Sequence, residues 1–410
     1  MIDIRKLVSG GRLIEEAMNI SYKAADDIAS EKIEIPTNVI STFKQKLNEY
    51  HIFLNDDDVI CDIISGIIRG NIVLQGPPGT GKTAISKVIC DTFNVNQNII
   101  TAIEDWTSYD TIGGLFPTVD NFGHEVVAGR NGLIVKSIVD CCNTITKQKL
   151  QRDEHITSGG EKQATWLVID EINRAEIDKV FGELFTVFGS SDSHSEKKLS
   201  LWFHQDAEKK ELAVPDRFRI VGTMNNVDKQ FVNDMSSALA RRFTFISILP
   251  PAITDFDKEM QVIKNSLTDR IVSKISKYGT QDIDAAYINS ILNNTNFVNI
   301  QNLVYEMLKH VRYDDDGIDE KTKIEYMGLQ IGSAQIKDLL EATVFKIIIQ
   351  QDMSLKSIQK AFDSSFSNTM IPLMLNHSVE RIGNFKDYFN VCFAGDYSWM
   401  EKSKKSLELI

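Results

Sequence analysis

Paired cysteines, long apolar runs and an excess of basic residues are all missing from this sequence, and each absence narrows what the chain can be. Only five cysteines occur in 410 residues: Cys61, Cys90, Cys141, Cys142 and Cys392. None forms a Cys-x-x-Cys pair, and no His/Cys cluster has zinc spacing. That argues against a disulfide scaffold or a zinc module and fits reduced thiols in a cytoplasmic protein. No segment has about 18 consecutive apolar residues, so no membrane-spanning helix and no membrane partner are expected. The opening residues, MIDIRKLVSGGRLIEEAMNI, lack the apolar stretch and small-residue cleavage site of a signal peptide. Lys and Arg total 45 against 57 Asp and Glu, a formal net charge of −12. A surface built mainly to coat nucleic acid is usually basic, so that class is disfavoured. A local basic loop lining a pore remains compatible with the charge.

What is present is the composition of a globular protein. Hydrophobic residues make up 42% and charged residues 25%, with only 8 prolines. Such a chain can bury full cores, and its length suggests two or three domains. Residues 1–50 read as a helical segment, with Leu13, Ala17, Ile20 and Ala24 at helical spacing and Pro36 starting a new helix. A helix over DVICDIISGIIRG ends near Gly70, and a strand follows at Asn71–Gln75. Further short apolar runs at Ile99–Ile103, Trp166–Ile169, Phe218–Gly222 and Phe243–Leu249 alternate with helical or polar stretches. That rhythm predicts an α/β core over 51–250 with a mainly parallel sheet. Two polar insertions, near 110–135 and 189–215, read as β-hairpins. After Pro250-Pro251 a helical domain is expected over 251–375, interrupted by an acidic loop at 313–321 (YDDDGIDEK). Residues 376–410 are left as an unassigned C-terminal tail.

The chemistry concentrates in three places. Gly76-Pro77-Pro78-Gly79-Thr80-Gly81-Lys82-Thr83 matches G-x-x-x-x-G-K-[ST], following a predicted strand and opening a predicted helix. Glycines let the backbone wrap an anion so that N–H groups and the helix N-terminus face phosphate. Lys82 adds a positive charge against the β- and γ-phosphates, and the Thr83 hydroxyl can ligate Mg²⁺. Next, Trp-Leu-Val-Ile-Asp-Glu (166–171) ends a buried-looking strand in two adjacent carboxylates. Asp170 is expected to hold Mg²⁺ and Glu171 to polarise the attacking water. Such a strand end is where ligands sit in open α/β sheets.

The third place is the strand leading into Thr223-Met224-Asn225-Asn226. A neutral amide at its tip can hydrogen-bond both the γ-phosphate and the water, and Asn225 is the better placed of the two. A predicted helix, FVNDMSSALARR, then closes on Arg241-Arg242. Two arginines there can simply stabilise the helix dipole, by ~0.3–1 kcal/mol. Alternatively, one reaches the γ-phosphate held by a neighbouring subunit, an effect of order 10³–10⁵ in rate for the fingers that act in trans on GTPases. The spacing favours a finger without choosing between them.

The runs VIDEINRAEIDKVFGELF (168–185) and GTMNNVDKQFVNDMSSALARRF (222–243) resemble the AAA+ domain of the McrB family, which is itself similar to the MoxR and dynein-related AAA+ proteins. The resemblance covers about residues 55–250, more weakly beyond. It implies a P-loop αβα sandwich with a five-stranded parallel sheet, a helical lid, and a ring-forming homo-oligomer, typically a hexamer, with the active site between subunits. By position, Lys82 and Thr83 match the family's phosphate loop, Asp170 and Glu171 its metal and water acids, and Asn173 and Arg174 its Asn-Arg motif. Asn225 matches the first sensor, Asp228 the aspartate of Met-Asn-x-x-Asp, and Arg241 and Arg242 the finger region. The family also implies a separately encoded effector, often a nuclease in defence against foreign DNA.

Three departures separate this sequence from the family. Only about seventy residues precede the phosphate loop, so nucleic acid is not expected to be read through a dedicated N-terminal domain. Asn225-Asn226-Val227-Asp228 bears only a superficial likeness to a guanine-reading motif, so ATP is expected, with GTP the alternative. Lids of related proteins often carry an arginine at the start of a late helix, and Gly332-Ser333-Ala334-Gln335 has none. The expected function is a motor or regulatory triphosphatase. A nucleotide switch with little turnover and a P-loop kinase are the competing readings.

Overall fold

The computed structural model describes residues 28–119, 123–153, 161–182, 184–188, 198–225, 241–276, 283–312, 329, 331–374, 379–393 and 399–409. The helical positions Leu13, Ala17, Ile20 and Ala24, the acidic loop at 313–321, Asp228 and the helix expected before Arg241 lie outside them. The chain divides into two units. The first takes residues 1–50, 56–76 and 82–248, and the second takes 51–55, 77–81 and 249–410.

In the first unit, β1 (Asn71–Gly76), β2 (Asn96–Thr101), β5 (Thr165–Asp170), β8 (Ile220–Asn225) and β9 (Phe243–Ser247) form one parallel sheet in the order β2-β5-β8-β1-β9. Its flanking helices include α1 (Val39–Glu49), α2 (Asp57–Arg69), α3 (Lys82–Thr92) and α4 (Leu133–Asp153). This is the P-loop α/β fold expected from the sequence. Strands covered on both faces carry near-continuous apolar runs, which is why β1 buries Ile72, Val73 and Leu74 and β5 buries Trp166 through Ile169. α2 is capped by Asp56, whose carboxylate accepts from the N–H groups of Asp58 and Val59.

Two strands begin elsewhere than their apolar runs suggest. β2 starts at Asn96, three residues before Ile99, and stops before Ile103. It is an edge strand whose limits are set by pairing with β5, from Asn96 opposite Thr165 to Thr101 opposite Asp170, and Ile99 and Ile103 are left exposed. β8 starts at Ile220 and reaches Asn225, beyond the expected Phe218–Gly222. The residues before it are occupied by buried arginines. Arg219 donates to the carbonyls of Ile67 and Ile68 at the end of α2 and to those of Asp216 and Phe218. Arg217 donates to Lys32 O, Gln163 O and Glu34 Oε1, tying residues 32–34 to the sheet.

Both insertions contain hairpins. β3 (Gly113–Val119) pairs antiparallel with β4 (Glu125–Asn131), and β6 (Lys198–Ser200) with β7 (Glu211–Ala213). Residues 189–197 fall outside the description. The first hairpin leaves Leu115, Val119 and Val127 exposed. On α4, Cys141 and Cys142 are buried, and burial pushes the Cys141 thiol up to about 12 and the Cys142 thiol well above its usual range. All five cysteines are free thiols.

The second unit is helical: α5 (Phe256–Ile275), α6 (Ala285–Leu292), α7 (Thr295–Arg312), α8 (Ser333–Gln350), α9 (Leu355–Thr369), α10 (Val379–Cys392) and α11 (Glu401–Glu408). A fully buried ion pair, Arg312 with Glu259, joins α7 to α5 at 2.5 and 3.1 Å. Most of the stretch beyond 375, read from sequence as a tail, is helical here. Phe385, Phe389 and Phe393, four residues apart, enter the same core as Phe362 and Phe366 of α9. Asp363 also accepts from the N–H groups of Lys402 and Ser403 at the start of α11. No helix among the described residues is long and apolar enough to cross a membrane.

Candidate active site

Strand register brings the functional residues together. Gly76, the last residue of β1, lies opposite Asn225, the last residue of β8, and Ile169 of β5 lies opposite Gly222 of β8. The carboxyl ends of three adjacent strands therefore present Gly76, Asp170-Glu171 and Asn225 along one edge, where parallel α/β sheets hold ligands.

The phosphate-loop motif spans β1 and α3. Gly79 and Gly81 sit at φ +79° and +85°, left-handed values that cost a side-chain-bearing residue roughly 1–2 kcal/mol. Pro77 through Gly81 group with the second unit, where the Thr80 hydroxyl donates to Pro77 O at 3.0 Å. Lys82 opens α3 and is buried, and its Nζ donates to Gly76 O at 2.9 Å. Burial lowers its pKa to about 8, against the opposing fields of Asp170 and Glu171.

Thr83 Oγ1 donates to Asp170 Oδ1 at 2.8 Å. A second hydroxyl, Thr223 Oγ1, donates to the same oxygen and accepts from the Glu171 N–H at 3.1 Å. Thr223 thus ties β8 to the acidic pair. The sequence reading passed over it, although its place two residues before Asn225 was the available signal. One hydroxyl and one carboxylate are hard oxygen donors, a set that fits Mg²⁺, which commonly takes one or two protein oxygens and keeps several waters.

Glu171 adopts φ +53° and ψ +45°. A non-glycine residue in that region is uncommon, and such strain concentrates at functional sites. Against its carboxylate, Arg174 Nε lies 2.6 Å from Oε2, and Asn225 Nδ2 lies 3.5 Å from Oε1, the outer limit of a hydrogen bond. Asn173 lies in a short 3₁₀ turn, Ile172–Arg174, with its Oδ1 buried and making no hydrogen bond among the described residues.

The two candidate finger arginines are held differently. Arg241 is exposed. Arg242 is half-buried, donates from Nε to Phe185 O at 2.6 Å, and places its guanidinium 5.1 Å from the Phe185 ring centre.

Residues 71–243 match the AAA domain (dynein-related subfamily). Over 253 residues the chain is 28% identical to the type IV methyl-directed restriction enzyme EcoKMcrB subunit of Escherichia coli strain K12, a match taking in 60% of this chain. The chain carries an McrB-like AAA+ domain. The same match spans 46% of that relative's length. Within the McrB-like domain, the matched segment runs from the first residue of β1 to the first residue of β9 and includes the whole of β1, β2, β5 and β8.

Proposed function

We propose that the chain is a Mg²⁺-dependent triphosphatase that hydrolyses ATP, with GTP the alternative, as the motor or regulatory subunit of a ring. The observation that carries this reading is the 2.8 Å contact between Thr83 and Asp170, with buried Lys82 one residue before Thr83 and Glu171 one residue after Asp170. Lys82 faces the β- and γ-phosphates, while Thr83 and Asp170 hold the metal. Bound there, Mg²⁺ supplies charge neutralisation at the phosphates. Glu171 takes a proton from the attacking water, and Asn225 orients that water and the γ-phosphate. Arg241 is the proposed finger, offered to a neighbouring copy in a homo-oligomer, expected to be a hexamer. Arg242 is already engaged by Phe185.

The relative's name describes one subunit of a restriction enzyme. By that kinship the proposed partner is a separately encoded effector such as a nuclease, in a cytoplasmic defence system against foreign DNA. A second reading, a nucleotide-dependent assembly switch with little turnover, is favoured by the Arg174 contact, which occupies the carboxylate that must meet water.

The test is steady-state phosphate release with ATP and with GTP across a range of protein concentrations, with molecular mass followed by light scattering. Release that rises steeply as a large assembly forms supports a shared site and identifies the nucleotide. Concentration-independent release from a persistent monomer would overturn the ring and the finger. Assembly with nucleotide but without release would favour the switch.

A further inference from the structure

Gln335 makes contacts that local sequence gave no reason to expect. Its Nε2 donates to Pro78 O at 3.1 Å, across 257 residues of chain, while its Oε1 accepts from Gly332 N at 2.7 Å. Beside it, Ala334 N donates to Gly79 O at 3.0 Å. Two consecutive carbonyls at the apex of the glycine-rich loop are thus held by the first turn of α8, all inside the second unit. The approach is close. A Cβ added to Gly332 would stand 2.2 Å from the carbonyl carbon of Gly79, and one added to Gly79 would stand 1.9 Å from Gln335 Oε1. That turn of α8 is anchored from behind, because Ser333 Oγ donates to Glu259 Oε1, and Glu259 is the buried partner of Arg312.

Peptide geometry says what holding those carbonyls does. In a trans peptide the C=O and the following N–H point in opposite directions. Fixing the Pro78 and Gly79 carbonyls toward α8 therefore fixes the N–H groups of Gly79 and Thr80 away from it. Those N–H groups are the donors with which a loop of this kind grips phosphate. A hydrogen bond to the carbonyl also polarises the attached N–H, making it a better donor.

We propose that Gln335, backed by Gly332 and the Ser333–Glu259–Arg312 network, is a positioning residue that preorganises the phosphate loop through its carbonyls. This rests on the reading of Gly76–Thr83 as a phosphate site. It assigns Gln335 a different task from a cationic lid residue: a neutral amide sets the direction of loop dipoles and adds no charge of its own. The effect is on phosphate and is independent of the base.

The experiment compares Gln335→Met, Gly332→Ala and Lys82→Ala with the wild-type chain. Affinities are measured for a non-hydrolysable ATP analogue and, by competition, for inorganic pyrophosphate. Amide hydrogen exchange over residues 76–83 and thermal midpoints are recorded alongside. Losing one neutral hydrogen bond predicts affinities for both ligands about three- to tenfold weaker in Gln335→Met. Gly332→Ala reaches the same result by pushing the loop off α8. Exchange at Gly79 and Thr80 quickens in both variants while the midpoint stays close to wild type. If Lys82→Ala abolishes binding but neither α8 variant weakens it, the positioning role is wrong and the phosphate site stands. Affinity lost only in step with the thermal midpoint likewise overturns the positioning role. If Lys82→Ala binds both ligands normally, the phosphate-site reading itself falls.

Discussion

Arg174 and Glu171 face one another across a single 3₁₀ turn, with Nε of the arginine 2.6 Å from Oε2 of the acid. While that contact lasts, one oxygen of the carboxylate that should meet a water is already ion-paired. Exposed ion pairs of this kind hold weakly, by ~0.2–1 kcal/mol, and Arg174 is 57% exposed. Arg174→Ala is therefore expected to raise basal phosphate release by roughly two- to fivefold. Glu171→Gln is expected to lower release by about 10²–10⁴-fold with nucleotide binding intact. Steady-state release by both variants checks this. If Arg174→Ala falls to the level of Glu171→Gln, the arginine works with the acid instead of restraining it.

Lys82 makes nucleotide binding sensitive to pH. Its pKa of about 8 in the free protein means that it carries charge below that pH and loses it above. A bound triphosphate favours the charged form and so raises that pKa. From the Lys82 contribution alone, affinity is flat below pH 8 and falls above it by up to about tenfold per pH unit. Calorimetry at pH 9 in two buffers of different ionisation enthalpy should show uptake of about one proton on binding. Lys82→Arg, which stays charged, should lose that uptake whatever its affinity. Binding at pH 9 without proton uptake would refute the assignment.

The two adjacent arginines should separate by experiment. Removing the exposed Arg241 should change stability by no more than about 0.5 kcal/mol. Arg242→Ala removes a 2.6 Å hydrogen bond and a ring contact, and should destabilise by roughly 1–2 kcal/mol. Release by Arg241→Ala should fall steeply and recover in part when it is mixed with Lys82→Ala subunits. Denaturant titration and mixed-subunit assays read the two effects separately. Recovery with Arg242→Ala but not with Arg241→Ala would reverse the roles.

The Glu259–Arg312 pair has no exposed surface on either side chain. Breaking such a pair from one side strands a buried charge, so Arg312→Met should cost ~3–5 kcal/mol. Replacing both partners, with Glu259→Leu added, should restore much of that loss. Unfolding midpoints of the single and double variants decide the matter. A double variant no more stable than the single would show that Ser333 and its surroundings depend on the carboxylate itself.

The local motifs could be read directly because their chemistry is contiguous in the chain. Gly76–Thr83 and Asp170-Glu171 each combine an apolar strand with the residues it delivers, so fold class and the central residues of the site were legible together. Strand limits were less so: β2 is set by pairing with β5, and β8 by the arginines that precede it. Thr223 is marked in the sequence only by its place two residues before Asn225, and its role emerges when its hydroxyl is seen on Asp170. Gln335 acts on a loop 257 residues earlier, a distance over which no periodicity informs. The aromatic spacing of α10 is helical, yet its segment is short, and its burial depends on α9, which lies before it in the chain.

Burial has also sorted the thiols. Cys90, Cys141 and Cys142 are enclosed, and their raised pKa values leave almost no thiolate at neutral pH. Cys61 is exposed on α2 and Cys392 is half-buried at the end of α10, one in each unit. The natural chain therefore offers two attachment points of unequal reactivity, and maleimide should reach Cys61 first. A donor dye placed there and an acceptor at Cys392 would turn any nucleotide-driven movement between the units into an optical signal, without adding a cysteine.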